Sequence, residues 1–101
     1  MGKYICQRSI HPGELLKKET EERKLSQRRL AEQMGISYKV LNDILNCRRP
    51  ITTQAAILFG TALGISASQL MRMQLDCNIQ QAAAAPSFME RLKQVCERKN
   101  Y

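Results

Sequence analysis

The segment LSQRRLAEQMGISYKVLNDIL, residues 25–45, reads as two short helical patterns interrupted at Gly35, each preceded by a serine, Ser26 and Ser37. Ser26 is a natural N-cap for QRRLAEQM, whose apolar positions Leu30, Ala31 and Met34 recur at helical spacing. Ser37 plays the same part for YKVLNDILN, with Val40, Leu41, Ile44 and Leu45 on one stripe. Gly35 suits the tight turn between them, because a left-handed backbone is cheap only without a Cβ. Ala31 is small enough for the second helix to cross close over it. Leu41 and Ile44, three apart, form the inner face that locks one helix on the other.

The outer face of the second helix is polar where a pair built only for packing has no need of polarity. With Ser37 as cap, Tyr38, Lys39, Asn42 and Asp43 project outward from its N-terminal half. In a DNA-reading helix-turn-helix, that end enters the major groove. Lys39 then donates to guanine O6 or N7, Asn42 pairs with adenine, and Asp43 accepts from cytosine N4. Tyr38 stacks on a thymine methyl or donates to a phosphate. Gln27 reaches a backbone phosphate from the start of the first helix, and Asn46, Arg48 and Arg49 grip phosphates from the following loop. An alternative partner for Asp43 is a neighbouring arginine, and Arg48 or Arg49 could simply be solvated.

Charge agrees with this placement. Residues 23–49 hold seven basic and two acidic side chains, so they supply +5 of the chain's net +7. Clustered positive charge around one helix pair is the footprint of a polyphosphate binder, although a solvated basic face has the same composition.

The flanking sequence continues in short helices with little strand signal, which predicts an all-α chain. Pro12 opens ELLKKETEERK, and Glu14 suits its first turn. Pro50 breaks the pattern after CRR, Thr52 or Thr53 caps QAAILFGTAL, and Gly64 stops that helix. Ser66 with Gln69 forms a capping box ahead of ASQLMRMQLDCNIQQA. The apolar residues of that fifth helix cover more than one face, too much for packing on its own domain alone. Pro86 restarts a segment, FMERLKQVCERKN, that reads equally as a short amphipathic helix or a fraying tail.

At 101 residues and 44 % hydrophobic content, the chain suits one domain with a real core. No run approaches the roughly 18 apolar residues of a membrane span, and no secretory leader is recognisable, so a cytoplasmic location is expected. Cys6, Cys47, Cys77 and Cys96 lack metal-ligand spacing and read as thiols in a reducing compartment. His11 is the single histidine. With no Ser/His/Asp set, no Gly-rich phosphate loop and no carboxylate pair beyond the solvated Glu21–Glu22, the sequence predicts neither catalysis, a metal nor a cofactor.

Residues 26–46 resemble the phage-repressor (Xre) type of helix-turn-helix, and residues 11–82 resemble the HigA family of antitoxins. HPGELL, LSQRRLAEQMGIS, LNDILNCRRPIT, LGISAS and the MQ…IQQA end of the fifth helix carry the likeness. The resemblance implies a compact five-helix domain over 11–82 with a helical extension or tail over 83–101. It also implies a homodimer on operator DNA, repression of its own operon, and neutralisation of a HigB-type toxin that cleaves mRNA. A stand-alone repressor without a toxin, or a protein–protein adaptor on the same fold, are the competing readings. The chain departs from the family at Lys24 and Cys47, which stand where glycine usually follows the first and third helices. Those helices must end differently or carry strain. Thr20 replaces a core leucine, and Gln69, Leu70 and Cys77 stand in place of the family's aromatics, so partner contacts do not carry over from the fifth helix. A second copy is expected on independent grounds, since operators offer two half-sites about 34 Å apart. The fifth helix or the tail would supply the self-complementary surface, unless the tail is where the toxin docks.

Overall fold

A computed structural model describes residues 10–99. Among them are six helices and no strand: α1 (Pro12–Glu22), α2 (Gln27–Met34), α3 (Tyr38–Leu45), α4 (Thr53–Leu63), α5 (Ala67–Ala84) and α6 (Pro86–Arg98). The sixth helix occupies the segment that the sequence leaves open between helix and tail.

Local chemistry sets most of the boundaries. Ser26, Ser37, Thr52 and Ser66 each accept, through the side-chain hydroxyl, a backbone N–H three residues on, at 3.1–3.2 Å. Each bond satisfies one of the donors that a helix start leaves without an intrahelical acceptor. The first helix is capped differently: His11 Nδ1 accepts from the Gly13 amide at 2.9 Å, with Pro12 in the first turn. Gly35 ends α2 at φ +70° and turns the chain into Ser37.

α1 stops at Glu22, two residues short of the predicted end, and Lys24 turns the chain at φ +57°. Cys47 does the same after α3, at φ +61°. Both sites therefore keep the left-handed turn without glycine, and the strained alternative is the one adopted. Leu25 falls in the turn after α1 and packs against the core from there.

The core gathers one apolar stripe from each of the first five helices: Leu16, Leu30, Leu41, Ile44, Leu45, Phe59 and Leu70 are almost wholly buried. α3 is held between α1 and α2, while α4 bridges α2 to α5. α1 comes so close to α3 that a Cβ on Gly13 would run into the Ile44 carbonyl oxygen. Thr20 is buried, and its hydroxyl is satisfied by donating to the Leu16 carbonyl at 2.7 Å. α5 buries only Leu70, Gln74 and Cys77, leaving Leu75 and Ile79 exposed. α6 packs against α5 and buries none of its residues. No described helix is long and apolar enough to cross a membrane.

Candidate nucleic-acid interface

α3 buries Leu41, Ile44 and Leu45 and turns its opposite face outward. Ser37 Oγ accepts from the Val40 amide at 3.1 Å, which fixes the helix start from which Tyr38 and Lys39 project. Lys39 is the most solvent-open of the predicted contacts whose side-chain exposure enters an ion pair, at 81 %. Tyr38 is exposed, and the Arg28 guanidinium lies 5.1 Å from its ring centroid. This stacking fixes the tyrosine at the junction of α2 and α3.

The other predicted residues form one hydrogen-bonded web. Asn42 Nδ2 donates to Gln27 Oε1 at 3.0 Å, tying the outer face of α3 to the start of α2. Asn42 Oδ1 accepts from Arg48 Nη2 at 2.9 Å. Arg48 Nε also donates to Asp43 Oδ1 at 3.3 Å, while Lys39 Nζ and Arg49 Nη2 lie 3.4 and 3.6 Å from Asp43 Oδ2. Asn46 Nδ2 donates to the Asn42 carbonyl at 2.9 Å, and its Oδ1 accepts from Lys17 Nζ at 3.1 Å. Gln27, Lys39, Asn42, Asp43, Asn46, Arg48 and Arg49 thus converge, with Ser37 and Tyr38 at the helix tip beside them.

Asp43 is the one carboxylate within this set, and three cations surround it. Desolvation pushes its pKa up, but the hydrogen bonds from Arg48 and Lys39, with their charges, outweigh that and hold it below the ordinary carboxylate value. The neighbouring-arginine alternative for Asp43 is therefore what the free chain shows.

Two cations escaped the residue-level reading of the sequence. Arg28 adds to the charge of residues 23–49 but no spacing assigns it a contact, and Lys17 belongs to a helix without any motif pointing to this face. Their approach depends on how α1 and α2 pack around α3, which spacing within one helix does not encode. Among the described residues, no group of three or more His, Cys, Asp or Glu side chains is arranged to hold a metal ion. Cys47 lies exposed in the arginine loop, Cys77 is buried on α5 and Cys96 is exposed on α6, while Cys6 falls outside the described residues.

A serine-capped helix held across a partner of equal length, with a polar outer face and a basic rim, defines a helix-turn-helix protein. The helix-turn-helix family matches residues 16–70, more than half the chain. No curated protein matches. Solved structures do. Antitoxin HigA of Pseudomonas aeruginosa, solved with the higBA promoter, is 31 % identical over 91 % of this chain and 96 % of its own, with a TM-score of 0.75. Another P. aeruginosa protein, in complex with its 28-bp operator DNA, is 32 % identical over 90 % and 96 %, with a TM-score of 0.74. An addiction-module antidote protein of the HigA family from Coxiella burnetii is 26 % identical over 92 % and 97 %, at 0.71. The chain belongs to the helix-turn-helix family, within its Xre-like, HigA-type antitoxins.

Proposed function

We propose that this protein is a sequence-specific DNA-binding antitoxin that represses its own toxin–antitoxin operon as a homodimer and neutralises a HigB-type, mRNA-cleaving toxin. The observation that carries the DNA half is α3 itself. Its buried face is wholly apolar, while its other face gathers the polar and cationic side chains that major-groove reading requires. Tyr38, Lys39 and Asn42 are the base readers of this interface. Ser37 sets the helix tip, and Gln27, Asn46, Arg48 and Arg49, joined by Arg28, meet the phosphates on either side. Asp43 lies among them.

The homodimer rests on geometry as well as kinship. Leu75 and Ile79 on α5, and Phe88, Leu92 and Val95 on α6, are all 41–59 % exposed. Each set recurs at three- or four-residue spacing, so each forms a stripe along its helix. Two adjacent helices with unburied apolar stripes make an economical contact between copies, and the copies would present two α3 tips to two half-sites. The toxin is inferred from the HigA relatives alone.

The decisive measurement is binding to DNA from upstream of its own gene, by fluorescence anisotropy against a random-sequence duplex of equal length, over a salt series. If four to six phosphates are neutralised, log K falls against log salt with a slope of roughly −4 to −5. Equal affinity for both duplexes, or a flat salt response, overturns the reading. For the toxin half, the product of the neighbouring reading frame should co-purify with this protein, and its mRNA cleavage should stop when the two are mixed.

A further inference from the structure

Asp43 is hard to explain as a stabiliser. Its three ion pairs join cations that are themselves 45–81 % exposed, and pairs of that kind contribute little to folding. As a base reader it would have to accept in competition with three charges, because Oδ1 faces Arg48, while Oδ2 faces Lys39 and Arg49. A negative charge in the middle of a surface meant for phosphates is costly unless it does something there.

We infer that Asp43 is a specificity-determining residue that acts as an internal counter-ion, holding Lys39, Arg48 and Arg49 in register while lowering the affinity of the surface for any phosphate chain. The inference rests on the DNA-binding role proposed above and assigns Asp43 a task other than accepting from cytosine. Two physical terms make the effect selective. Binding to arbitrary DNA comes almost wholly from cations replacing counter-ions on phosphates, so one fixed negative charge among three positive ones weakens it directly. Binding to the correct sequence pays the same electrostatic cost but recovers part of it. Asp43 orients the Lys39 ammonium from one turn along α3, and through Arg48 it also orients the Asn42 amide, so the base readers lose less freedom on docking. Asp43 thus taxes wrong sequences more than right ones.

The test compares wild type with Asp43→Asn, which keeps shape and removes charge, on the upstream duplex and on a random-sequence duplex of equal length. On random DNA, Asp43→Asn should bind about three- to tenfold tighter at 0.1 M salt, with a slope steeper by up to about one. The preference for the upstream duplex over random DNA should fall by a smaller factor, because the upstream duplex shares the gain but loses the orientation that Asp43 gives. Asp43→Ala should give the same gain on random DNA, and Asp43→Glu should restore wild-type discrimination. If either neutral variant gains nothing on random DNA and loses affinity only for the upstream duplex, Asp43 reads a base and the inference is wrong. If both lose equally on both duplexes, with unchanged salt slopes, Asp43 is merely structural and the inference is again wrong. A wild type that binds the upstream duplex no better than random DNA would instead remove the DNA-binding role itself, and the counter-ion role with it.

Discussion

Lys39 and Arg48 share one carboxylate but stand at different places on the interface, and their substitutions should separate. Lys39 leaves the first turn of α3, whereas Arg48 follows the helix; on the proposed reading the first meets base edges and the second the flanking phosphates. Lys39→Ala should cost about 1–3 kcal/mol on the upstream duplex and clearly less on random DNA, read by anisotropy titration. Arg48→Ala should weaken both alike and reduce the salt slope by about one. Equal losses for Lys39→Ala on the two duplexes would displace it from the reading role. Backbone strain offers a second residue-level test. Lys24 sits at φ +57°, a conformation that costs a side-chain-bearing residue roughly 1–2 kcal/mol. Lys24→Gly should therefore raise the urea-unfolding free energy by about 0.5–1 kcal/mol, once glycine's greater freedom in the unfolded chain is deducted.

At the scale of elements, the caps explain why so much of the fold was legible. Ser26, Ser37, Thr52 and Ser66 act on amides three residues away, so the signal and its consequence lie within one turn of sequence. α6 was not legible for the converse reason: it buries nothing, so its pattern alone could not separate a helix from a tail. The Arg28–Tyr38 stacking depends on how α2 and α3 meet, which spacing within one helix does not record, whereas the cations around Asp43 all lie within six residues of it and the arginine pairing is among the sequence's alternatives. The α1 cap carries a pH prediction. Burial pushes the His11 imidazole below its ordinary value, with Glu14 offsetting only part of that, so the folded chain favours the neutral ring whose Nδ1 accepts from Gly13. The unfolded chain takes up the proton first as pH falls below about 6.5, the ordinary histidine value. The cap's contribution is thus fully present above that pH, is lost as pH falls through the folded value, and then levels off. Melting wild type beside His11→Asn, a cap that does not titrate, should show the two curves diverging between pH 7 and 5. Parallel curves would remove His11 from the linkage.

The whole molecule is elongated, 54 × 25 × 21 Å, with apolar side chains left uncovered on α5 and α6. If copies meet there, Leu92→Glu with Val95→Glu should move the sedimentation coefficient to that of a monomer. The helical circular dichroism of the first five helices should stay unchanged, because neither residue belongs to the buried core. A dimer that survives this pair, and survives Leu75→Glu with Ile79→Glu as well, would exclude both stripes as the contact. Gln74 gives that end of the molecule a mechanical link to the other. From inside α5, its Oε1 accepts the Ile51 amide at 2.8 Å, while its Nε2 is steadied by Asn78 at 2.9 Å. Ile51 closes the loop that bears Arg48 and Arg49, so the arginine pair is moored to the same rod that displays Leu75 and Ile79. Any shift of that rod under load must drag the mooring or snap it, and a snapped mooring would strand a buried amide in an apolar pocket.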